Sequence, residues 1–122
     1  MDVLLLEYPK CSTCKRAKRW LDERGVNYAD RDIVADNPTA DELARWVEAS
    51  GLPVRRFFNT SGRLYRELGV KARLDGGMTN EEAVQLLSTN GMLVKRPLLI
   101  VDGTPTTPGF REDAWSQALA LD

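Results

Sequence analysis

VLLLEYPKCSTC, residues 3–14, joins an apolar run to a pair of cysteines and decides the fold. The run Val3–Leu6 is typical of a buried first strand, and the amphipathic stretch 16–24 after the cysteines is typical of a helix. Cys11 and Cys14 therefore lie on the turn between a first strand and a first helix. A Cys-x-x-Cys sequence at this place indicates a redox-active pair.

The amino end of the predicted helix favours chemistry at Cys11. Unpaired backbone N–H groups and the positive end of the helix dipole lie there, and both stabilise a thiolate. Cys14 follows about one turn later, on a helix face that packs through Ala17. We expect Cys11 to be the nucleophile and Cys14 to be the more buried, resolving thiol. A disulfide between them closes a very short loop and adds little stability, so the pair suits redox cycling.

The basic residues around the pair have two interpretations. Their charges favour a thiolate and attract anions, but a basic run is also a common solvated helix face. These residues are Lys10, Lys15, Arg16, Lys18 and Arg19. The sequence leaves both interpretations open and makes Lys10 a candidate anion ligand.

Missing residue types exclude several kinds of site. The chain has no histidine and no cysteine besides Cys11 and Cys14, so one chain lacks the usual zinc ligands and we expect no metal. Ser-His-Asp and Cys-His arrangements are excluded for the same reason. Two incidental thiols remain an alternative to a redox pair, but the position at a strand-to-helix turn favours the redox pair.

Composition is that of an ordinary globular protein. With 122 residues, of which 43% are hydrophobic and 29% charged, the chain is long enough for one domain, which we expect to span 1–122. The net charge of −1 provides no overall attraction to nucleic acid or to an acidic membrane. The apolar run 3–6 is too short for a signal or a membrane span. Together with the dithiol, these features predict a cytoplasmic location.

Helix signals dominate the middle of the chain. A second strand is expected between Val26 and Val34. Thr39 and Thr79 each begin a capping-box pattern, with a glutamate three residues later, and so predict the start of a helix. Shorter helical stretches are expected at 54–58 and 64–68, the latter ending at Gly69. These elements predict a helical insertion over about 39–91.

The last third of the chain predicts a hairpin and a helix. Leu98–Val101 is a continuous apolar run, as expected for a central strand covered on both faces. Asp102-Gly103 predicts a tight turn into a short edge strand over 104–107, and a final amphipathic helix follows Phe110. The order β-α-β, insertion, β-β-α predicts an α/β fold of the thioredoxin-like (glutaredoxin-like) type with a mixed four-stranded sheet.

Several motifs together give the chain a resemblance that covers essentially its whole length. They are YPKCSTCKRA (8–17), FFNTSG (57–62), YRELG (65–69), KRP (95–97) and GF (109–110). The sequence resembles the arsenate reductase family of ArsC type, which includes the Spx-type regulators. The motifs are specific to the family and much less specific to one function within it.

Resemblance to the arsenate reductases implies a site for an oxyanion. These enzymes use one cysteine, matched by Cys11, and three arginines, of which Arg96 matches one. The first arginine position falls on Asn59, and the third falls at Pro108 or Gly109. No bound cofactor is implied, and the electron donor would be glutathione with glutaredoxin, or thioredoxin. Because two guanidinium groups are missing, arsenate should bind several orders of magnitude more weakly.

The thioredoxin-like fold also implies a role for the Lys-Arg-Pro sequence. Such folds place a cis-proline beside the cysteines, which predicts a cis Arg96–Pro97 bond with Pro97 facing Cys11 and bordering the anion site. Arg96 would then be held against Cys11, where it would stabilise the thiolate and receive an anionic substrate. A surface arginine that merely precedes a strand is the alternative.

Resemblance to the Spx-type regulators implies a different function. These proteins also carry both cysteines, an arginine like Arg96, and a glycine like Gly51 on the surface that contacts RNA polymerase, at the C-terminal domain of its α-subunit. Gly51 is equally expected as a plain helix C-cap. Two functions therefore remain open. One is a thiol-dependent reductase, nominally an arsenate reductase, that acts as a glutaredoxin-like thiol–disulfide oxidoreductase. The other is a redox-sensing regulator.

Overall fold

A four-stranded mixed sheet organises the chain in the computed structural model, which describes residues 1–121. The strands are β1 (Val3–Glu7), β2 (Ala29–Asp32), β3 (Leu98–Val101) and β4 (Thr104–Pro105). Their order across the sheet is β2-β1-β3-β4, with β1 parallel to β2 and antiparallel to β3. This arrangement confirms the thioredoxin-like fold with a mixed four-stranded sheet.

Six α-helices accompany the sheet within the described residues. They are α1 (Ser12–Glu23), α2 (Ala40–Ser50), α3 (Arg63–Glu67), α4 (Val70–Asp75), α5 (Asn80–Leu87) and α6 (Glu112–Ala118). Helices α2 to α5 lie between β2 and β3, where the sequence predicts the helical insertion. Among the helices of residues 1–121, none is both long and apolar enough to cross a membrane.

The two central strands are apolar on both faces because each face of the sheet carries its own core. Leu5 and Leu99 point to one side, where α1 and α6 pack with their tryptophans. Leu6 and Leu98 point to the other side and pack against the helical insertion. Five large aromatic side chains belong to these cores and are buried: Trp20, Trp46, Phe57, Phe58 and Trp115.

Both predicted capping boxes are present, and the first also attaches the insertion to the sheet. The Thr39 hydroxyl accepts the Glu42 N–H at 3.1 Å, and the Glu42 carboxylate accepts the Thr39 N–H at 3.0 Å. Arg31 of β2 donates two hydrogen bonds to the same carboxylate, at 2.8 and 3.0 Å. These bonds, those from Arg31 first, lower the pKa of Glu42 to about 2.

Several element boundaries differ from the sequence-based expectation, and the edge strand β4 ends at Pro105 rather than at residue 107. Helix α1 begins at Ser12 rather than at residue 16, because Cys11 already caps it. Strand β2 begins at Ala29 rather than at Val26. The Val26 N–H donates to the Leu21 carbonyl at 3.1 Å and so closes the end of α1 instead of joining the sheet.

Helix α4 was not predicted. The sequence analysis treated Gly69 as the end of a helical stretch, but a second helix begins directly after it. Gly69 has a φ of 61° and serves as the N-cap of α4. The left-handed conformation turns the chain between α3, which lies where the sequence predicts a helix, and α4, whose start has no side-chain cap.

Gly91 permits a close approach between the insertion and the sheet. It is buried, and a Cβ atom at this position would overlap the backbone carbonyl of Ile33. Ile33 in turn donates its N–H to the carbonyl of Glu7, the last residue of β1, at 2.9 Å. The absence of a side chain at Gly91 therefore lets the insertion close over the end of the central strand.

We predict that Gly91→Ala lowers the free energy of unfolding by roughly 3 kcal/mol, the upper end of the range for overpacked interiors. Gly51→Ala is the matched control, because its φ of +67° is unfavourable for alanine but its Cβ meets no atom within 4 Å. The control should lose only about 1–2 kcal/mol. Urea denaturation of the two variants tests this, and an equal or smaller loss at Gly91 would contradict the packing argument.

Candidate functional site

The two cysteines lie where β1 turns into α1. The Cys11 N–H donates to the Tyr8 carbonyl at 2.9 Å, which closes the turn. Cys11 is the N-cap of α1, and its Sγ accepts the Cys14 N–H at 3.3 Å. The predicted position of this sulfur at the free amides of the helix end is therefore confirmed.

The two thiols differ in their access to solvent. Cys11 is half-buried, whereas the Cys14 side chain is fully buried. Burial, followed by the hydrogen bond to Cys11, raises the pKa of the Cys14 thiol to about 12. The structure has no disulfide between the two cysteines. As predicted, Cys14 is the more buried of the two.

Arg96 contacts the ring of Tyr8, a residue of the turn that carries the cysteines. The Arg96–Pro97 peptide bond is cis, as predicted. Arg96 donates from Nη1 to the carbonyls of Met92 and Val94 at 3.2 and 3.4 Å, and its Cζ lies 5.3 Å from the centroid of the Tyr8 ring. Among residues 1–121, no carboxylate forms a salt bridge with Arg96. Its charge is therefore available to an anion.

Asn59 and Arg96 line one cavity of about 610 Å³, as expected if both belong to an anion site. Arg63 lines it too, but its guanidinium is paired with Glu67 at 2.7 Å. Cys11 and Lys10 are not part of this lining, and Lys10 is exposed on the turn. The structure thus places Asn59 and Arg96 in one cavity and Lys10 outside its lining, next to Cys11 in the turn.

Gly109, one of the two residues at which the third family arginine position falls, lies beside the cis-proline. The Gly109 N–H donates to the Pro97 carbonyl at 3.0 Å. A Cβ at Gly109 would lie 3.7 Å from Cε of Lys95, which makes Lys95 the nearest candidate to replace the missing charge. The guanidinium of Arg55 is paired with Asp75 at 2.8 Å, so it is not free to replace that charge.

Gly51 has the structural role that a helix C-cap requires. Its φ of 67° is left-handed, and its N–H donates to the Glu48 carbonyl at 3.3 Å. Gly51 is also exposed, and it borders a groove of about 590 Å³ between α2 and α5. The C-cap is confirmed, and a polymerase contact stays a prediction.

The sequence analysis did not identify Glu7, which is the last residue of β1 and directly precedes the cysteine turn. Its side chain is buried, and Lys18 Nζ lies 3.5 Å from its Oε2 and 2.8 Å from Asp30 Oδ2. Lys18 is therefore paired with two carboxylates and does not serve as a free charge for anions. The signal in the sequence is the acidic residue that ends the apolar run, with Lys18 one turn after Cys14.

The described residues contain no metal-binding cluster. Within residues 1–121, no group of three or more His, Cys, Asp or Glu side chains is placed to hold a metal ion. What the site offers is a dithiol, an unpaired arginine and a buried carboxylate.

Comparison with known proteins identifies the family. The ArsC family model matches residues 6–118. The uncharacterized protein YusI of Bacillus subtilis is 44% identical over 117 residues, which are 96% of this chain and 98% of YusI. The solved structure of an ArsC family related protein from Bacteroides fragilis has a TM-score of 0.90 and 49% identity, covering 97% of this chain and 98% of that one. The global transcriptional regulator Spx of Staphylococcus aureus is 26% identical, over 91% of this chain and 82% of Spx. The chain therefore belongs to the ArsC family.

Proposed function

We propose that the protein is a glutaredoxin-like thiol–disulfide oxidoreductase that acts through Cys11 and Cys14. The observation that supports this most is the difference between the two thiols. Cys11 caps α1 with its sulfur at the amide groups and is accessible, whereas Cys14 is buried one turn further along. An accessible first thiol and a protected second one suit a nucleophile and its resolving partner.

The proposed reaction has two steps. The Cys11 thiolate attacks one sulfur of a substrate disulfide, forms a mixed disulfide and releases the other substrate sulfur as a thiolate. Cys14 then attacks Cys11 Sγ, forms the Cys11–Cys14 disulfide and releases the remaining substrate thiolate. The protein loses two electrons and the substrate gains them. A thiol donor such as glutathione, glutaredoxin or thioredoxin returns the pair to the reduced state.

The charges near the dithiol favour an anionic substrate. Lys10 is exposed beside Cys11, and Arg96 has no carboxylate partner among residues 1–121. A thiol compound that carries carboxylates, such as glutathione, would gain charge-assisted hydrogen bonds from such groups. We propose that Lys10, Asn59, Arg96 and Pro97 border its binding site.

Arsenate is a poorer match than a thiol compound. Of the three arginine positions of the family, this chain has Arg96 alone, with Asn59 at one position and Pro108 or Gly109 at the other. Each missing charge-assisted hydrogen bond removes about 1.5–3 kcal/mol. Thiol exchange needs only a thiolate and access, so it is less affected.

We predict that Cys11→Ser abolishes disulfide reduction, whereas Cys14→Ser still forms the mixed disulfide but cannot release it. Intact-mass analysis after mixing each variant with oxidised glutathione should find one added glutathione on Cys14→Ser and none on Cys11→Ser. The unmodified protein should lose two hydrogens and form the internal disulfide. A glutathione adduct on the Cys11→Ser variant at a comparable rate would reverse the assignment of the two cysteines.

We predict weak or absent arsenate turnover in an assay coupled to glutathione and glutaredoxin. The exposed Arg56 provides a matched control, since Arg56→Ala removes an arginine charge that does not line the Asn59–Arg96 cavity. Efficient arsenate reduction that survives Cys14→Ser and Arg56→Ala but is lost in Arg96→Ala would instead make this protein an arsenate reductase.

A redox-sensing regulator is the second candidate, supported by the similarity to Spx and by the exposure of Gly51 on the α2–α5 groove. In this proposal, the partner is RNA polymerase, through the C-terminal domain of its α-subunit.

We predict that the immobilised C-terminal domain of the α-subunit retains the oxidised protein. Gly51→Arg should abolish retention, whereas Gly51→Asn should preserve it because asparagine tolerates the left-handed conformation. If neither the oxidised nor the reduced protein binds this domain, the proposal of a redox-sensing regulator is excluded.

A further inference from the structure

A short helical turn, residues 90–94, borders the cavity of about 610 Å³ described above. Leu93 and Val94 of this turn are fully buried and anchor it in the core that faces the helical insertion. Asn90 and Met92 line the cavity instead. The 90–94 turn is therefore both part of the core and part of the cavity wall.

The side chain of Asn90 caps this turn. Its Oδ1 accepts the Met92 N–H at 2.9 Å, and its backbone carbonyl accepts the Leu93 N–H at 3.0 Å. The Val94 N–H then donates to the Gly91 carbonyl at 3.1 Å. Asn90 itself is exposed, so its carboxamide fills no space in the core. Its contribution is the hydrogen bond that fixes the start of the turn.

The carbonyl groups of the same turn hold Arg96. Nη1 of Arg96 donates to the Met92 carbonyl at 3.2 Å and to the Val94 carbonyl at 3.4 Å. Within residues 1–121 these are the hydrogen bonds that Arg96 makes, so Nε and Nη2 are left for a ligand. Met92 thus accepts from Arg96 through its carbonyl and donates to Asn90 through its N–H.

The 90–94 turn also holds the backbone of Asn59. The Asn59 N–H donates to the Leu93 carbonyl at 2.7 Å. The Asn59 amide lies against Gly62, where a Cβ atom would be only 2.9 Å from Nδ2. The absence of a side chain at Gly62 therefore leaves room for the amide beside the guanidinium-bearing part of the cavity wall.

The charges of the cavity wall favour an anion. Arg63 and Glu67 are both part of the lining, but they are paired with each other at 2.7 Å. Arg96 is the remaining charged residue of the lining, and it has no carboxylate partner among residues 1–121. A carboxylate can accept hydrogen bonds from this guanidinium and from the neutral Asn59 amide.

Arg96 also connects the cavity with the dithiol. Its Cζ lies 5.3 Å from the centroid of the Tyr8 ring. The Tyr8 carbonyl accepts the N–H of Cys11 at 2.9 Å, in the turn that carries both cysteines. The guanidinium is therefore separated from the nucleophilic residue by a single residue contact.

We propose that Asn90 positions Arg96 to bind a carboxylate of the substrate in this cavity, through the turn that links the two residues. The inference rests on the thiol–disulfide exchange proposed above and identifies a residue that determines its substrate preference. Asn90 is a positioning residue, because it acts through Met92 and takes no part in the exchange between sulfur atoms. A guanidinium that is already held in place loses less freedom when it binds an anion.

Mixed-disulfide formation with two different disulfides tests the proposal. Glutathione disulfide carries carboxylates, whereas bis(2-hydroxyethyl) disulfide is uncharged. In a Cys14→Ser background the reaction stops after attack by Cys11, and intact-mass analysis of acid-quenched samples gives its rate. Asn90→Ala should lower the rate with glutathione disulfide about fivefold, as expected when a side chain must be ordered on binding. The rate with the uncharged disulfide should stay the same.

Three further variants separate positioning from a general loss of stability. Arg96→Gln should lower the rate with glutathione disulfide by about tenfold or more. Adding Asn90→Ala to Arg96→Gln should cause no further loss, because Asn90 acts through Arg96. Asn90→Ser keeps a side-chain oxygen as the cap and should restore the rate. Thr79→Ala removes the corresponding cap of α5, outside the cavity lining, and should leave the ratio of the two rates unchanged.

The results distinguish a failure of this inference from a failure of the proposed function. If neither disulfide forms an adduct, the oxidoreductase function is overturned, and the role of Asn90 with it. If both disulfides react but Asn90→Ala leaves the ratio of their rates unchanged, the positioning role alone is overturned. The same holds if the losses caused by Asn90→Ala and Arg96→Gln are additive.

Asn90→Asp keeps the test decisive if the alanine variant folds poorly, because aspartate caps a helix as well as asparagine does. This variant adds a negative charge to the cavity wall near Arg96. The rate with glutathione disulfide should therefore fall, whereas the rate with the uncharged disulfide should persist. An unchanged rate with glutathione disulfide would mean that its carboxylate does not enter this cavity, which overturns the proposal.

Discussion

The amino end of α1 imposes the constraint on which the rest of the site depends. The first backbone N–H groups of a helix have no partner within it and must be satisfied by another group. Here a thiol sulfur accepts one of them, since Cys11 caps the helix and takes the Cys14 N–H. The cap fixes where the helix starts, and the start determines that Cys14 points into the core. One local requirement thus creates an accessible thiol and a buried one.

The same junction explains why a charged side chain lies within an otherwise apolar core. Strand β1 is covered on both faces, so its last residue is still buried when the chain turns towards the helix. Lys18 reaches back along α1 to pair with Glu7 and with Asp30 of β2. The three charges join the central strand, the first helix and the edge strand at the end of β1, where the chain enters the cysteine turn. A protonation event in this cluster is therefore adjacent to the redox chemistry.

Features that depend on neighbouring residues could be predicted from the sequence, and those that depend on distant contacts could not. The dithiol turn, the capping boxes at Thr39 and Thr79 and the apolar strand Leu98–Val101 each follow from a few consecutive residues. The ion pair between Lys18 and Glu7 arises only when the helix packs on the sheet. The overlap that Gly91 avoids with Ile33 likewise joins parts of the chain that are remote in sequence. Periodicity also gave no sign of α4, because its start depends on the left-handed backbone of Gly69.

The attachment of the helical insertion to β2 has a consequence for acid conditions. Hydrogen bonds from Arg31 hold the pKa of Glu42 at about 2, below its ordinary value of 4.5. The stability that this carboxylate contributes is therefore complete above pH 4.5 and is lost only as the pH falls towards 2. Glu42 is thus a permanent anion wherever the protein is neutral or mildly acidic, whereas Glu7 exchanges its proton there. Two glutamates thus differ in protonation because their surroundings differ. Glu42 stays ionised beside Arg31, whereas the buried Glu7 has a pKa of about 7. A change of pH around 7 would consequently change the charge of Glu7, next to the cysteine turn. The hydrogen bonds from Arg31 to Glu42, which attach the insertion to the sheet, would persist.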